Sequence, residues 1–129
     1  MKKYVLALSI TLFLFPIIAS ASQYTTLLKE YVRLDSIVNG INPDLTSCII
    51  THESQWISDK TGPEHIGASQ GLWQIYLRMH RNITLEEAND PIWATTWSLD
   101  QIKAGRVSWW TTYGEYCKSI PVFLHETHA

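Results

Sequence analysis

The sequence predicts a mainly α, single-domain protein, and three observations carry that prediction. Apolar residues recur at helical spacing between Tyr24 and Ile37. Helix-start chemistry recurs at Asn42-Pro43, Thr84 and Asp90-Pro91. No stretch alternates apolar and polar residues for long enough to support a real sheet, which leaves room for at most a short hairpin within residues 58–70.

Residues 1–21 read as a signal peptide rather than as part of the fold. Lys2 and Lys3 precede an apolar stretch from Tyr4 to Ile18, and Ala19-Ser20-Ala21 forms a small-residue cleavage site. The apolar stretch is about 15 residues and contains Pro16, short of the ~20 that cross a bilayer, so an uncleaved anchor is the second choice. The expectation is an exported protein, periplasmic, cell-wall or extracellular, with no membrane association after cleavage. The remainder suffices for one domain, residues 22–117, followed by a tail, residues 118–129.

Tyr24, Leu27, Leu28, Tyr31, Leu34 and Ile37 form an amphipathic stripe, which Gly40 ends. Asn42 then suits an N-cap, Pro43 the first helical turn and Asp44 the helix dipole, predicting a second helix to about Trp56 or Ile57. Gly62-Pro63 and Gly67 mark a loop over residues 58–70, and Gly71–His80 suits a short helix or turn. Thr84 and Glu87 make a capping box. Asp90 caps a helix from Pro91 to Lys103, with Trp93, Trp97 and Ile102 among its buried residues and Gly105 as its stop. Trp109, Trp110 and Tyr113 form an aromatic cluster ahead of Cys117. The tail, with Pro121 and weak periodicity, is expected to be partly ordered at best.

Ten basic and 12 acidic residues give a net charge of −2, and losing Lys2 and Lys3 makes the remainder more acidic. That balance argues against nucleic-acid binding, which draws on clustered basic residues, and against a cationic antimicrobial steered to anionic surfaces. Cys48 and Cys117 are the only cysteines, and in an oxidising compartment they are expected to pair, two free thiols being the alternative. Closing so long a loop is worth roughly 4 kcal/mol in the chain-entropy picture.

The chemistry concentrates around Glu53. It stands in the run Cys48-Ile49-Ile50-Thr51-His52-Glu53-Ser54-Gln55-Trp56, a lone carboxylate among apolar and aromatic groups. On a helix Ile49 and Trp56 would share its face, and desolvation there favours the neutral carboxyl that a general acid needs. The second run, Gly67-Ala68-Ser69-Gln70-Gly71-Leu72-Trp73-Gln74-Ile75, offers glycines that let the chain bend close to a ligand. It also offers the amide of Gln74 and the flat face of Trp73. Taken singly, each residue is better explained by a solvated helix face or ordinary core; the combination carries the functional reading. Six tryptophans add surfaces on which the apolar faces of sugar rings can stack, although core packing claims several of them. Metal binding is not expected: His52-Glu53 opens a His-Glu-x-x-His pattern, but Trp56 takes the fifth position, and His125 and His128 are a polar tail pair.

At these residues the chain resembles the soluble (SLT-type) lytic transglycosylases of the lysozyme-like superfamily. The matching segments are Glu53-Ser54, Gly71-Leu72-Trp73-Gln74-Ile75, Asp90-Pro91 and the closing Trp109-Trp110-Thr111-Thr112-Tyr113 before Cys117. The resemblance implies a lysozyme-like helical domain that cleaves the β-1,4 bond between N-acetylmuramic acid and N-acetylglucosamine, acting as a monomer without a cofactor on peptidoglycan glycan strands. It makes Glu53 the single catalytic acid/base. Ser54, Gly71, Leu72, Trp73, Gln74 and Tyr113 become substrate-side residues. The chain departs from the family pattern in a longer spacing between Glu53 and Gly71, in Trp73 where a methionine is usual, and in Gly114 where the closing asparagine would stand. Asp59, Glu64 and Asp90 are the candidates for a second carboxylate. The first two sit in the loop and the third is better used as a cap, so attack from within the substrate fits slightly better than hydrolysis by water. A hydrolase, or a non-catalytic peptidoglycan-binding module on the same fold, are the alternatives.

Overall fold

A computed structural model describes residues 20–63 and 68–125. Most of the expected signal segment, together with Glu64, His65, Gly67 and His128, lies outside the described residues. The chain is mainly helical, with one two-stranded hairpin and one disulfide, as the sequence predicts.

Helix α1 (Ala21–Val38) begins earlier than its apolar pattern suggests, because Ser20 caps it. The Ser20 hydroxyl accepts from the Gln23 N–H and the Gln23 side chain accepts from the Ser20 N–H, a reciprocal box one residue ahead of the expected cleavage point. Of the stripe counted from the sequence, Leu28 is buried and Tyr31 half-buried, while Tyr24, Leu27, Leu34 and Ile37 face solvent. The buried face is Leu28, Val32 and Ser36. Polar Ser36 is interior because its hydroxyl donates to the Val32 carbonyl at 2.7 Å and meets the Thr46 hydroxyl at 2.9 Å.

Helix α2 (Pro43–Ser54) starts as expected, with the Asn42 side chain accepting from the Asp44 N–H. It stops short of Trp56, because Gln55 and Trp56 both turn left-handed, at φ 53° and 66°. Two successive non-glycine residues there are costly. The turn is held by the Trp56 indole N–H donating to the Thr51 hydroxyl at 3.0 Å. Trp56 therefore does not share a helical face with Glu53, and its ring instead lies beneath Lys29 of α1.

Strands β1 (Ser69–Gln70) and β2 (Ile75–Tyr76) pair antiparallel, with Gln70 opposite Ile75. The hairpin thus runs past the 58–70 window, although Thr61 adds a bridge to Gln70, supported by Gly62 N–H to Ser69 O and Gly71 N–H to Lys60 O, both 2.8 Å. The connecting turn plugs Leu72 and Trp73 into the core. Gly71, at φ +80°, is obligatory, since any Cβ there would run into the Ala88 carbonyl.

Helix α3 (Leu85–Asn89) carries the expected Thr84–Glu87 box, and helix α4 (Pro91–Lys103) has the expected bounds. Asp90 caps α4 through hydrogen bonds from the Ile92 and Trp93 N–H groups. Its buried face is Ala94, Thr95, Ser98, Leu99 and Ile102. Trp93 and Trp97 are only half-buried, a correction to the sequence expectation that matters for the cleft described below.

A 3₁₀ turn (Val107–Trp109) and a π-helical turn (Tyr113–Cys117) close the domain. The Cys48–Cys117 disulfide ties the π turn to α2 across 69 residues. Such a bond persists in non-reducing surroundings. The tail returns to the α1–α2 junction, where Asn42 N–H donates to Val122 O and Leu124 N–H to Gly40 O. No helix among the described residues is long and apolar enough to cross a membrane.

Candidate functional site

Glu53 occupies the last turn of α2, and its Oε1 accepts a hydrogen bond from the Thr112 hydroxyl at 2.9 Å. Burial pushes its carboxyl above the ordinary value. The Thr112 hydrogen bond and then Lys60 pull it back down, and the nearby Glu115 pushes it up again, with burial prevailing. The sequence anticipates the direction but attributes it to Ile49 and Trp56. Ile49 keeps its place on the α2 face, Trp56 leaves it in the left-handed turn, and much of the surface around the carboxyl comes from distant segments.

Those segments enclose a cleft of about 400 Å³. The hairpin contributes Ser69, Gln74, Ile75 and Tyr76, and the following turn Met79 and His80. Trp97 from α4 and Trp109, Trp110 and Thr111 from the closing segment form the opposite wall. This wall is a packed aromatic array. The His80 ring lies 5.0 Å from Trp97 and 5.1 Å from Trp109, and Trp97 lies 6.3 Å from Trp109. Burial lowers the pKa of His80, which favours its neutral form there. Arg106 lies over the outer ring, Trp109, which is half-exposed. The inner ring, Trp110, is pinned by donating its indole N–H to the Trp73 carbonyl at 2.8 Å.

The structure divides the expected substrate-side residues. Glu53 and Gln74 line the same cleft, so the long loop between them does not separate them. Gln74 is less free than expected, because its amide donates to Lys60 O and Gly71 O at 2.8 and 2.9 Å and only Oε1 has no partner among the described residues. Ser54, Gly71, Leu72 and Trp73 are buried behind the cleft wall rather than on it. Ser54 donates to the Ile50 carbonyl, and Trp73 presents no flat face to the cleft because it is fully buried, its indole N–H donating to the Thr95 hydroxyl. Tyr113 packs against the core, and its neighbour Thr112 makes the bond to Glu53.

Sequence reasoning missed Thr112, Met79 and His80 as site residues and underrated the exposure of Trp97. Thr112 lies within the closing segment that the sequence singled out; nothing singled out Met79 or His80. Of the expected second carboxylates, Asp90 is spent on its cap and Asp59 is exposed, and neither lines the cleft. Among the described residues no cluster of His, Cys, Asp or Glu could hold a metal ion, and His52 stacks instead on Tyr116.

A wider groove of about 660 Å³ runs between α1 and α2, past Leu27, Lys29, Val32, Thr46 and Trp56. Its acidic residues Glu30 and Asp44 are both exposed, and Glu30 is paired with Arg33, so it offers no poised acid. The cleft at Glu53 is smaller but chemically better equipped. The fold and site define a disulfide-braced helical protein with one protonation-prone carboxyl facing an aromatic wall. Comparison with models of known families, with curated proteins and with solved structures finds no match.

Proposed function

We propose that this protein is an exported lytic transglycosylase that cleaves the β-1,4 bond between N-acetylmuramic acid and N-acetylglucosamine in peptidoglycan. One observation carries the proposal: Glu53 is the sole carboxylate among the described residues lining an aromatic cleft, and burial favours its protonated form. A general acid needs a proton to give, and desolvation shifts a carboxyl toward holding one. The half-exposed ring of Trp109 suits the apolar face of a pyranose.

In this reading Glu53 protonates the glycosidic oxygen as the bond to the muramyl C1 breaks. The resulting carboxylate then takes the proton from the muramyl C6 hydroxyl as that oxygen bonds to C1, leaving a 1,6-anhydro end and restoring the acid. Glycosidases that use water pair two carboxyl groups, about 5 Å apart when retaining and wider when inverting. With one carboxylate among the described residues of the cleft, a nucleophile internal to the substrate is favoured.

The test is mass spectrometry of purified sacculi digested with oxidised protein. Anhydro-terminated fragments support the proposal, whereas fragments carrying an added water identify a hydrolase. Binding to sacculi without release of fragments, in both wild type and Glu53→Gln, identifies a glycan-binding module.

A further inference from the structure

The Glu53 carboxyl has two oxygens, and the structure treats them differently. Oε1 accepts the Thr112 hydroxyl hydrogen at 2.9 Å, and no second protein partner holds the carboxyl among the described residues. An oxygen already receiving a hydrogen bond on its lone pair is the poorer seat for the acid proton. The proton of the neutral form is thereby directed to Oε2. We propose that Thr112 is a positioning residue for Glu53: it fixes the carboxyl rotamer and reserves Oε2 as the oxygen that gives up and recovers the proton. This rests on the transglycosylase reading for its purpose, but not for its geometry.

The geometry is set by covalent and backbone constraints rather than by Thr112 alone. Thr112 stands immediately before the π turn that Cys117 closes, and Cys117 is bonded to Cys48 on the helix that carries Glu53. The disulfide therefore braces the same two elements that the Thr112–Glu53 hydrogen bond joins. A half-buried hydroxyl with a rotatable bond can then meet a carboxyl at a fixed distance without losing much further freedom.

The two protonation states use Thr112 unequally. A hydroxyl donating to a carboxylate stabilises the anion more than it stabilises the neutral acid. In the transglycosylase cycle the anion exists between the two proton transfers, so Thr112 would stabilise that intermediate stage. Other charges also face Glu53. Lys60 from the loop after α2 favours the anion, Glu115 from the π turn disfavours it, and His80, whose pKa burial lowers, lines the same cleft. None of these makes a hydrogen bond to the carboxyl, so none selects one oxygen.

The test compares wild type with Thr112→Val, which keeps the shape and removes the donor, and Thr112→Ser, which keeps the donor. The Glu53 carboxyl is followed by carbon-13 NMR across pH, and lysis of sacculi is followed in parallel. Thr112→Val should raise the Glu53 titration midpoint and move the basic limb of the lysis profile to higher pH. It should also lower kcat by about tenfold at constant KM, the usual scale for one hydrogen bond to a charged group. Thr112→Ser should restore all three. An unchanged midpoint in Thr112→Val, or the same shift in Thr112→Ser, would overturn the proposal. Circular dichroism of each variant establishes that the fold persists, and Thr112→Ala, which also removes the donor, replaces Thr112→Val should the latter not fold. A midpoint shift in a protein that leaves sacculi intact would sink the transglycosylase reading and leave the positioning role standing.

Discussion

Removing the disulfide should cost this protein a large part of its stability. The bond closes a loop of 69 residues, for which the chain-entropy relation gives about 4 kcal/mol at 25 °C. A small domain is stable by only about 5–15 kcal/mol in total. For a domain of this size each kcal/mol moves Tm by about 4–8 °C, so the expected fall is roughly 15–30 °C. Replacement of both cysteines by alanine adds a small void at Cys117, which is fully buried, so the loss should not fall below the entropic figure. The assay is urea unfolding by circular dichroism of three samples: oxidised protein, the same protein reduced, and the Cys48→Ala/Cys117→Ala variant. Reduced protein and double variant should unfold together, well below the oxidised protein. Unfolding free energies within about 1 kcal/mol of one another across all three would refute the account. In that event the core and the tail pairing at Gly40–Asn42 would be holding the π turn against α2 without covalent help.

Glu53→Gln should stabilise the fold at neutral pH. Because burial raises the Glu53 pKa above 4.5, the folded state binds a proton that the unfolded state releases, and stability falls as pH rises from that value through the folded pKa. The variant removes this loss, so its advantage should be present at pH 7 and absent near pH 4, as read by thermal unfolding at the two values; an advantage independent of pH would contradict the burial of the charge. Gly71→Ala and Gly40→Ala make a matched pair, since both glycines have positive φ, at +80° and +72°. The Gly40 variant meets open space and should lose only about 1 kcal/mol. The Gly71 variant drives a methyl group into the Ala88 carbonyl and should fail to give soluble folded protein; similar unfolding midpoints for the two would show that the hairpin turn can move away from α3.

The parts of this fold that were legible in the sequence are those decided within a few residues. Asn42-Pro43, Thr84 with Glu87, and Asp90-Pro91 each satisfy backbone groups locally, and each starts a helix where the sequence puts it. What failed was decided at a distance. The apolar stripe of α1 was legible as helix but not as orientation, because α2 packs on Leu28, Val32 and Ser36, and a hydroxyl pair with Thr46 makes the polar position interior. The overrun of α2 failed because a left-handed pair at Gln55-Trp56 has no propensity signal and is stabilised by one side-chain bond to Thr51. The same division runs through the site. Glu53 was legible as a carboxylate in apolar surroundings, whereas its actual surroundings are brought by the hairpin, α4 and the closing turn.

That division explains why the direction of the Glu53 shift is legible although most of its surroundings are not. A desolvated carboxyl requires only that apolar groups outnumber water around it, and a sequence with six tryptophans supplies such groups from several directions. The proposed proton-transfer geometry is more demanding. It needs one oxygen engaged and the other presented, and the hydroxyls beside Glu53 in sequence are used elsewhere: Ser54 donates to the Ile50 carbonyl and Thr51 accepts from the Trp56 indole. The donor arrives from Thr112, far along the chain, and it reaches Glu53 because a disulfide joins the helix of one to the turn of the other. A small domain can bring such separated groups together through a large core or through a cross-link. Here the cross-link lies on the elements that carry both groups. Reduction should therefore disturb the Glu53–Thr112 pair before it disturbs α4 or the hairpin, neither of which the disulfide cross-links, an order of events that amide hydrogen exchange of reduced protein would follow.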